Sequence, residues 1–315
     1  MAMKTPATNR ARPDRLALDA VLVIDKPVGP TSFDVVRRVR RAAGMRRIGH
    51  GGTLDPAASG VLPICLGEAT KLAQFLLDAD KQYDFTVCFG VETDTDDAAG
   101  TVTGRRDAGA LGEAAVRDAL TAFRGPISQV PPLYSALKRA GRPLYDYARA
   151  GEAVEIAARP VVVHELELTS FADPGAVGFT MRCSKGTYVR ALARDLGRAL
   201  AVGAHVTALR RTRSGAFSLA EARPLDEVLA ALALPEPEHA ALPLVGLTDA
   251  LRHLGRRAVS DEVARDARFG RRLRLEPGES TVERRLCLVD SRGALVAVAD
   301  TRADGALELI RVFAA

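Results

Sequence analysis

One carboxylate, Asp55, stands at the centre of a glycine-punctuated stretch from Gly49 to Lys71: Gly-His-Gly-Gly-Thr-Leu-Asp-Pro-Ala-Ala-Ser-Gly-Val-Leu-Pro-Ile-Cys-Leu-Gly-Glu-Ala-Thr-Lys. Gly49, Gly51 and Gly52 permit positive φ and close backbone approach to a ligand. Pro56 steers Leu54-Asp55 away from helix, and Gly60 resets the chain before the apolar run Val61 to Leu66. An ionised carboxylate presented in this way can serve as a nucleophile. By itself an Asp before Pro in a Gly-rich loop is a turn residue bonded to its own backbone. The length of this loop, His50 just upstream and an arginine-dense segment before it point instead to a reactive site visited by an anionic polymer.

Other chemistries fail on the letters. His164-Glu165 lacks a second His at metalloprotease spacing. Asp94, Asp96 and Asp97 fail the calcium-loop pattern because Ala98 and Ala99 occupy a ligand position and the required Gly, so no metal is expected. His50-Gly51-Gly52 resembles an esterase oxyanion loop, but there is no GxSxG nucleophile elbow. Ser135-Ala136-Leu137-Lys138 matches the SxxK of penicillin-binding enzymes, yet their Ser-x-Asn element is impossible with Asn9 as the sole asparagine.

The elements that must position Asp55 can be read around it. Ala20 to Ile24 is a short buried strand closed by the turn Asp25 to Pro30. A helix follows, capped by Thr31 or Ser32 and stopped at Gly44, with Phe33, Val36, Val39 and Ala43 as its apolar stripe. Arg37, Arg38, Arg40 and Arg41 lie on its other face, and Arg46 and Arg47 continue past its end. A charge run is ordinarily a solvated helix face. No acid interleaves between Arg37 and Arg47, so ion pairs within the run are not its purpose, and a phosphate-tracking surface is expected.

Further on, Thr70 to Leu77 reads as helix and Tyr83 sits at the entrance of a strand from Phe85 to Gly90. Ala114 to Phe123 and Leu144 to Gly151 read as helices, Val161 to Thr169 and Val177 to Cys183 as strands. Gly186 and Thr187 form a turn and cap that place Arg190 in the first turn of a helix. Past Pro224 a Pro- and Ala-rich connector is expected. After it come a helix over 260–268 and three apolar runs, with Asp290 to Gly293 as a hairpin connector. The segment before those runs is basic, carrying Arg268, Arg271, Arg272, Arg274, Arg284 and Arg285. Strands and helices mix without a βαβ rhythm, so the fold class is α+β, with a mixed, largely antiparallel sheet and helices packed on it.

The whole composition agrees. A chain of 315 residues accommodates a basic tail over 1–18, a catalytic-sized domain over 19–245 and a small β-rich module over 246–315. No run of about 18 uncharged apolar residues marks a membrane span, and the N-terminus has no apolar export core. Cys65, Cys88, Cys183 and Cys287 are scattered, which suits a reducing cytoplasm. Of 44 basic residues only six are Lys, and Lys26, Lys71, Lys81, Lys138 and Lys185 sit in compact motifs. A compact ammonium retained against such bias marks positions where a planar guanidinium does not fit. Lys26 and Lys71 are therefore expected among the substrate-binding residues.

Together, Asp25-Lys26-Pro27, Thr31-Ser32, Gly49 to Lys71, Asp80 to Tyr83, Tyr134 to Lys138, Ser184 to Arg190 and Gly203 to Arg211 closely resemble the TruB family of tRNA pseudouridine synthases, in order, across roughly residues 20 to 215. The resemblance implies the pseudouridine synthase fold, isomerisation of a uridine in the T loop of tRNA at tRNA position 55, and base flipping, with no cofactor. Asp55 would be the catalytic aspartate, Tyr83 the tyrosine that stacks on uracil and takes part in proton removal at C5, and Arg190 the arginine paired with the aspartate. Leu209 would be an apolar pocket wall, and His50 the histidine that helps to hold flipped-out nucleotides; Tyr188 joins the substrate-binding set. The C-terminal module resembles a PUA-like domain and would grip the acceptor arm. A monomer acting on tRNA is expected. The rival readings are an RNA chaperone that reshapes tRNA without catalysis and a guide-RNA-dependent synthase of related sequence.

Overall fold

The computed structural model describes residues 18–234, 242–271, 273–274, 285–302 and 304–313; the expected basic tail apart from Leu18, and Pro235 and Pro237 of the expected connector, lie outside the described residues. So do Arg272, Arg284 and the side chain of Arg274. Strands β1 (Ala20–Lys26), β2 (Ile48–His50), β3 (Ala58–Leu66), β4 (Lys81–Phe89), β5 (Gly125–Gln129), β6 (Arg159–Phe171), β7 (Val177–Cys183), β8 (Ala204–Ser214) and β9 (Leu244–Gly246) belong to one 11-stranded sheet. Its main path is β1-β3-β8-β4-β7-β6-β5. Strand β2 adds to β3, β9 and the short strand Arg223–Pro224 add to β1, and Phe217–Ser218 adds to β8. Neighbours along the path are antiparallel except β3 and β8, which run parallel where Ala58 to Gly60 meets Leu209 to Arg211. The sheet is thus mixed and largely antiparallel, and its parallel junction lies where the Asp55 loop enters β3.

Helices α1 (Ser32–Ala43), α2 (Ala73–Asp78), α3 (Glu113–Ala119), α4 (Leu144–Arg149), α5 (Val189–Ala199) and α6 (Leu225–Ala233) accompany this sheet. Strand β1 reads as a continuous apolar run because both its faces are covered. Leu22 and Ile24 pack with α1 and α6, and Val21 and Val23 with α2 and the second sheet. Thr31 opens α1 with a capping box: its hydroxyl accepts from the Asp34 N–H, and the Asp34 carboxylate accepts from the Thr31 N–H. Gly44 closes the helix at φ 65°.

Three expectations are corrected. Val35 joins Val36, Val39 and Ala43 in the core, whereas Phe33 is 63% exposed, because two residues along a helix turn through about 200° and put Phe33 opposite Val35. The cap of α5 is Tyr188; the Thr187 hydroxyl instead donates to the Ser184 carbonyl inside the preceding turn. The Ala-rich stretch after Pro224 is not all connector. It forms α6, whose Leu225, Val228 and Leu232 fall at helical spacing and pack in the core shared with α1.

A second, five-stranded sheet follows: β10 (Gly255–Ala258), β11 (Leu273–Arg274), β12 (Arg285–Val289), β13 (Leu295–Thr301) and β14 (Ala306–Val312), in the order β10-β12-β13-β14-β11. Helix α7 (Asp261–Arg268), capped by Ser260, packs Ala264 and Ala267 on one face of it. The other face turns Cys287, Leu295 and Val298, with Phe313 beyond the last strand, toward Val21, Val23, Phe75 and Leu76 of the large domain. Asp290 shapes the hairpin between β12 and β13, its carboxylate accepting from the Arg292 and Ala294 N–H groups. No helix among the described residues is long and apolar enough to cross a membrane.

Candidate active site

The loop between β2 and β3 is held by side chains from elements far along the chain. The Ser32 hydroxyl, at the start of α1, donates to the Leu54 carbonyl at 3.0 Å and accepts from the Leu54 N–H at 2.8 Å. The Gly29 N–H donates to the Pro56 carbonyl at 2.8 Å, tying the Pro27–Pro30 turn to the residue after Asp55. Arg211 on β8 is buried and divides its guanidinium among the carbonyls of Val61, Thr53 and Gly52 at 2.8, 3.0 and 3.1 Å. Gly60 is obligatory: its φ is 106°, and a Cβ there would lie 2.2 Å from the Arg211 carbonyl oxygen.

Asp55 emerges from this frame half-exposed, its Oδ2 accepting from Arg190 Nε at 2.9 Å and lying 2.9 Å from Nη2. Arg190 is 4% exposed in the first turn of α5, and its remaining N–H groups donate to the carbonyls of Thr95 and Tyr134 at 2.8 and 3.0 Å. Asp97 adds a second carboxylate 3.6 Å from Arg190 Nε; its other oxygen accepts from the Thr95 hydroxyl and the Ala99 N–H. The guanidinium is therefore fixed on several sides before any substrate arrives.

Asp55 and Arg190 stand at a cavity of about 310 Å³ that Tyr83, Tyr188, Leu209, Lys81 and Arg211 also line. Strand pairing explains the assembly: Tyr83 on β4 is the register partner of Arg211 on β8, and Leu209 lies opposite Phe85 and beside Ala58. Burial pushes the Tyr83 phenol above its usual range, and the adjacent Arg211 guanidinium pulls the other way. Burial also raises the Tyr188 phenol, whose backbone is pinned by a two-way hydrogen bond with the Gln129 amide. Lys81 donates to the carbonyls of Leu76, Leu77 and Ala79 at 3.3, 2.6 and 2.6 Å, and burial brings its ammonium down to about 8.

The structure thus brings Asp55, Tyr83, Arg190, Leu209 and Tyr188 together. His50 ends β2 beside the loop, its Nδ1 3.4 Å from the Gly52 N–H, outside the cavity wall; burial and Arg211 push its pKa down, which favours the neutral ring. Lys26 is not brought to the cavity. Its buried ammonium donates to the Pro27 and Pro30 carbonyls at 2.8 and 2.9 Å and closes the turn behind Asp55, and burial lowers it to about 8 against the pull of Asp55. Lys71 is not brought there either: it pairs with Glu68 at 2.5 Å and donates to the Val312 carbonyl at 2.9 Å, at the joint between the two sheets. Arg37, Arg38 and Arg41 of α1 and Arg46 and Arg47 past its end lie outward, but acids from outside the run reach three of them, Asp34 at Arg37, Asp226 at Arg38 and Glu68 at Arg47. Arg40 is half-buried and donates to the Ile48 carbonyl, while Arg41 and Arg46 are exposed.

Sequence reasoning assigned no site role to Arg211, Lys81 or Asp97. Lys81 carried a signal, being one of the few retained lysines. Arg211 carried a weaker one, an arginine at alternate spacing from Leu209 in a strand. Among the described residues no group of three or more His, Cys, Asp or Glu side chains could hold a metal ion.

The fold and the cavity, with its carboxylate braced by a guanidinium, suit an enzyme, and comparison with known proteins gives its class as pseudouridylate synthase. Residues 40–189 match the TruB family pseudouridylate synthase N-terminal domain, and residues 190–254 match the tRNA pseudouridylate synthase B C-terminal domain. The chain is 42% identical over 306 residues to tRNA pseudouridine synthase B of Chromobacterium violaceum, covering 97% of this chain and 98% of the relative. It is 54% identical over 227 residues to tRNA pseudouridine synthase B of Burkholderia mallei, covering 72% of each. The crystal structure of a Cbf5-Nop10-Gar1 complex matches with a TM-score of 0.73 and 27% identity, over 94% of this chain and 85% of that one. The chain belongs to the TruB family of pseudouridylate synthases, which are isomerases.

Proposed function

We propose that this enzyme converts uridine to pseudouridine in the T loop of tRNA, at tRNA position 55, with Asp55 as the nucleophile. The observation that carries the reading is the Asp55 carboxylate, the one acid among the described residues that line the cavity, held 2.9 Å from Arg190. The names of the similar proteins, tRNA pseudouridine synthase B, support tRNA as the substrate.

The reaction breaks the bond from ribose C1′ to N1, turns the uracil and joins C1′ to C5; a proton leaves C5 and one arrives at N1, so atoms and electrons balance without a redox partner. Asp55 supplies the electron pair that holds the detached state, and the bond it forms breaks again with that pair once C1′ is joined to C5, which returns the carboxylate. Tyr83 offers a ring face worth about 1–3 kcal/mol of stacking, comparable to the few kcal/mol that extruding a loop base costs, and its hydroxyl takes part in removing the C5 proton. Leu209 and Tyr188 exclude water from the loose uracil, and His50 steadies the nucleotides flipped out beside the loop. The outward arginines Arg37, Arg38, Arg41, Arg46 and Arg47, with the half-buried Arg40 among them, follow the phosphates. The C-terminal module, read as PUA-like, grips the acceptor arm, and the enzyme works as a cytoplasmic monomer.

Mapping pseudouridine by carbodiimide chemistry on an unmodified tRNA transcript tests the assignment. Modification at position 55, lost when that uridine is replaced by cytidine, is expected. Modification elsewhere with position 55 untouched refutes the T-loop assignment, and tRNA refolding without any pseudouridine supports the chaperone instead.

A further inference from the structure

Helix α2 touches both the catalytic loop and the second sheet, and no step of the reaction uses it. It is six residues long, too short to hold its own shape, so its place is set by what packs on it. On one side Phe75 and Leu76 share a core with Cys287, Leu295, Val298 and Phe313. The Arg285 guanidinium lies 5.6 Å from the centre of the Phe75 ring and is itself held by Asp300 through bonds of 2.7 and 2.9 Å. On the other side Leu76 abuts the catalytic loop so closely that a Cβ on Gly51 would fall 2.9 Å from Leu76 Cβ and Cδ1. Immediately after α2, Lys81 gathers the carbonyls of Leu76, Leu77 and Ala79, and Leu77 and Lys81 both line the cavity.

We propose that the C-terminal sheet positions the reaction centre itself: through Phe75 and Arg285 it fixes α2, and α2 fixes Gly51, Gly52 and the Lys81 wall of the uridine cavity. This role is separate from any grip of the module on RNA. A displacement of about 1 Å at reacting groups costs about a hundredfold in rate, and Gly51 puts no side chain of its own between the loop backbone and Leu76 to absorb one. The inference rests on the T-loop reading, and two measurements on the full chain keep the two apart.

The first is the single-turnover rate on an isolated T-arm stem-loop at saturating enzyme, with affinity measured separately. Phe75→Ala and Arg285→Met are each expected to slow the reaction about tenfold or more while stem-loop affinity stays the same, and Phe75→Leu should recover most of the loss. The second is amide hydrogen exchange, which needs no RNA: protection over Gly51 to Asp55 should fall in both variants. Arg285→Met keeps the apolar core intact, so it answers even where Phe75→Ala does not fold. Wild-type rates in a folded variant, or a loss confined to affinity, would overturn the proposal. A wild-type enzyme inert on the stem-loop refutes the T-loop reading, and unchanged exchange over Gly51 to Asp55 still refutes the positioning role.

Discussion

Two groups of cations flank the same loop and do opposite work. Around Asp55, the buried Lys26, Lys81, Arg190 and Arg211 direct most of their N–H groups to backbone carbonyls, Arg211 to the loop itself and the others to segments packed around it, and have little left for a ligand. In front, α1 and its extension hold Arg37, Arg38 and Arg47 in exposed pairs with Asp34, Asp226 and Glu68. Exposed pairs of that kind contribute about 0–1 kcal/mol and are readily exchanged for phosphates. Stripping a buried charge of its partners costs about 3–5 kcal/mol. Solvent exposure, more than residue type, separates the enclosed cations from those whose partners can be exchanged.

The largest effect is expected at the group the inner cations serve. Asp55→Asn keeps the size and the Arg190 contact but removes the proposed nucleophile, so pseudouridine formation should fall by about four orders of magnitude or more with tRNA affinity retained. A single-turnover assay that found measurable conversion would take Asp55 out of the nucleophile role. Tyr83→Phe comes next: stacking survives while the hydroxyl proposed to take part in proton removal is lost, and a fall of about a hundredfold in single-turnover rate is expected. An unchanged rate would show that the hydroxyl is idle.

Arg211→Met then measures the scaffold directly. It orphans the Gly52, Thr53 and Val61 carbonyls, and a loss of about 2–4 kcal/mol in unfolding free energy is expected, with activity falling alongside. Arg211→Lys should not restore it, because an ammonium cannot span the carbonyls that the planar fork reaches. On the outer face, Arg37→Gln, Arg41→Gln and Arg46→Gln together should leave the melting temperature almost unmoved. They should flatten the plot of log affinity against log salt by about one unit of slope for each phosphate contact removed. If the triple variant instead lost stability and kept its slope, the contrast between inner and outer cations would collapse.

How much of this was legible in the sequence follows from the same contrast. Glycine and proline signal at the backbone level, so the Asp55 loop and its strand could be read from the letters, and Arg190 could be placed in the first turn of its helix. The tyrosine and leucine walls needed the family resemblance, since a strand aromatic looks the same whether it faces a core or a cavity. Arg210 and Arg211 are adjacent identical letters on opposite faces of β8, one exposed enough to meet Asp25 and one fully enclosed, and nothing local distinguishes them. The retained lysines were a sound signal with an incomplete reading. At Lys26 and Lys81 the ammonium meets converging carbonyls at a turn and a helix end, partners that lysine spacing alone does not reveal.

The smallest expected effect probes the inner group through pH. Burial, aided by Arg211, lowers Lys81 to about 8 in the folded protein, whereas an unfolded lysine titrates at about 10.4. Between those values the unfolded chain holds more protons than the folded one, so this group makes stability rise with pH. Its full penalty is present below about pH 8 and is gone above about 10.4. Lys26, lowered to about 8 mainly by burial, acts in the same sense. Lys81→Met loses the three carbonyl contacts at every pH, so the size of its destabilisation is not the signal. The signal is the slope. The melting temperature of wild type relative to Lys81→Met should move in favour of wild type as pH rises from about 7.5 to about 10, because the neutral amine still has N–H groups for the carbonyls and no charge to desolvate. A difference that stayed flat across that window would mean that the inner ammonium is as well solvated as an outer one, and the distinction between the two groups would then rest on hydrogen bonds alone.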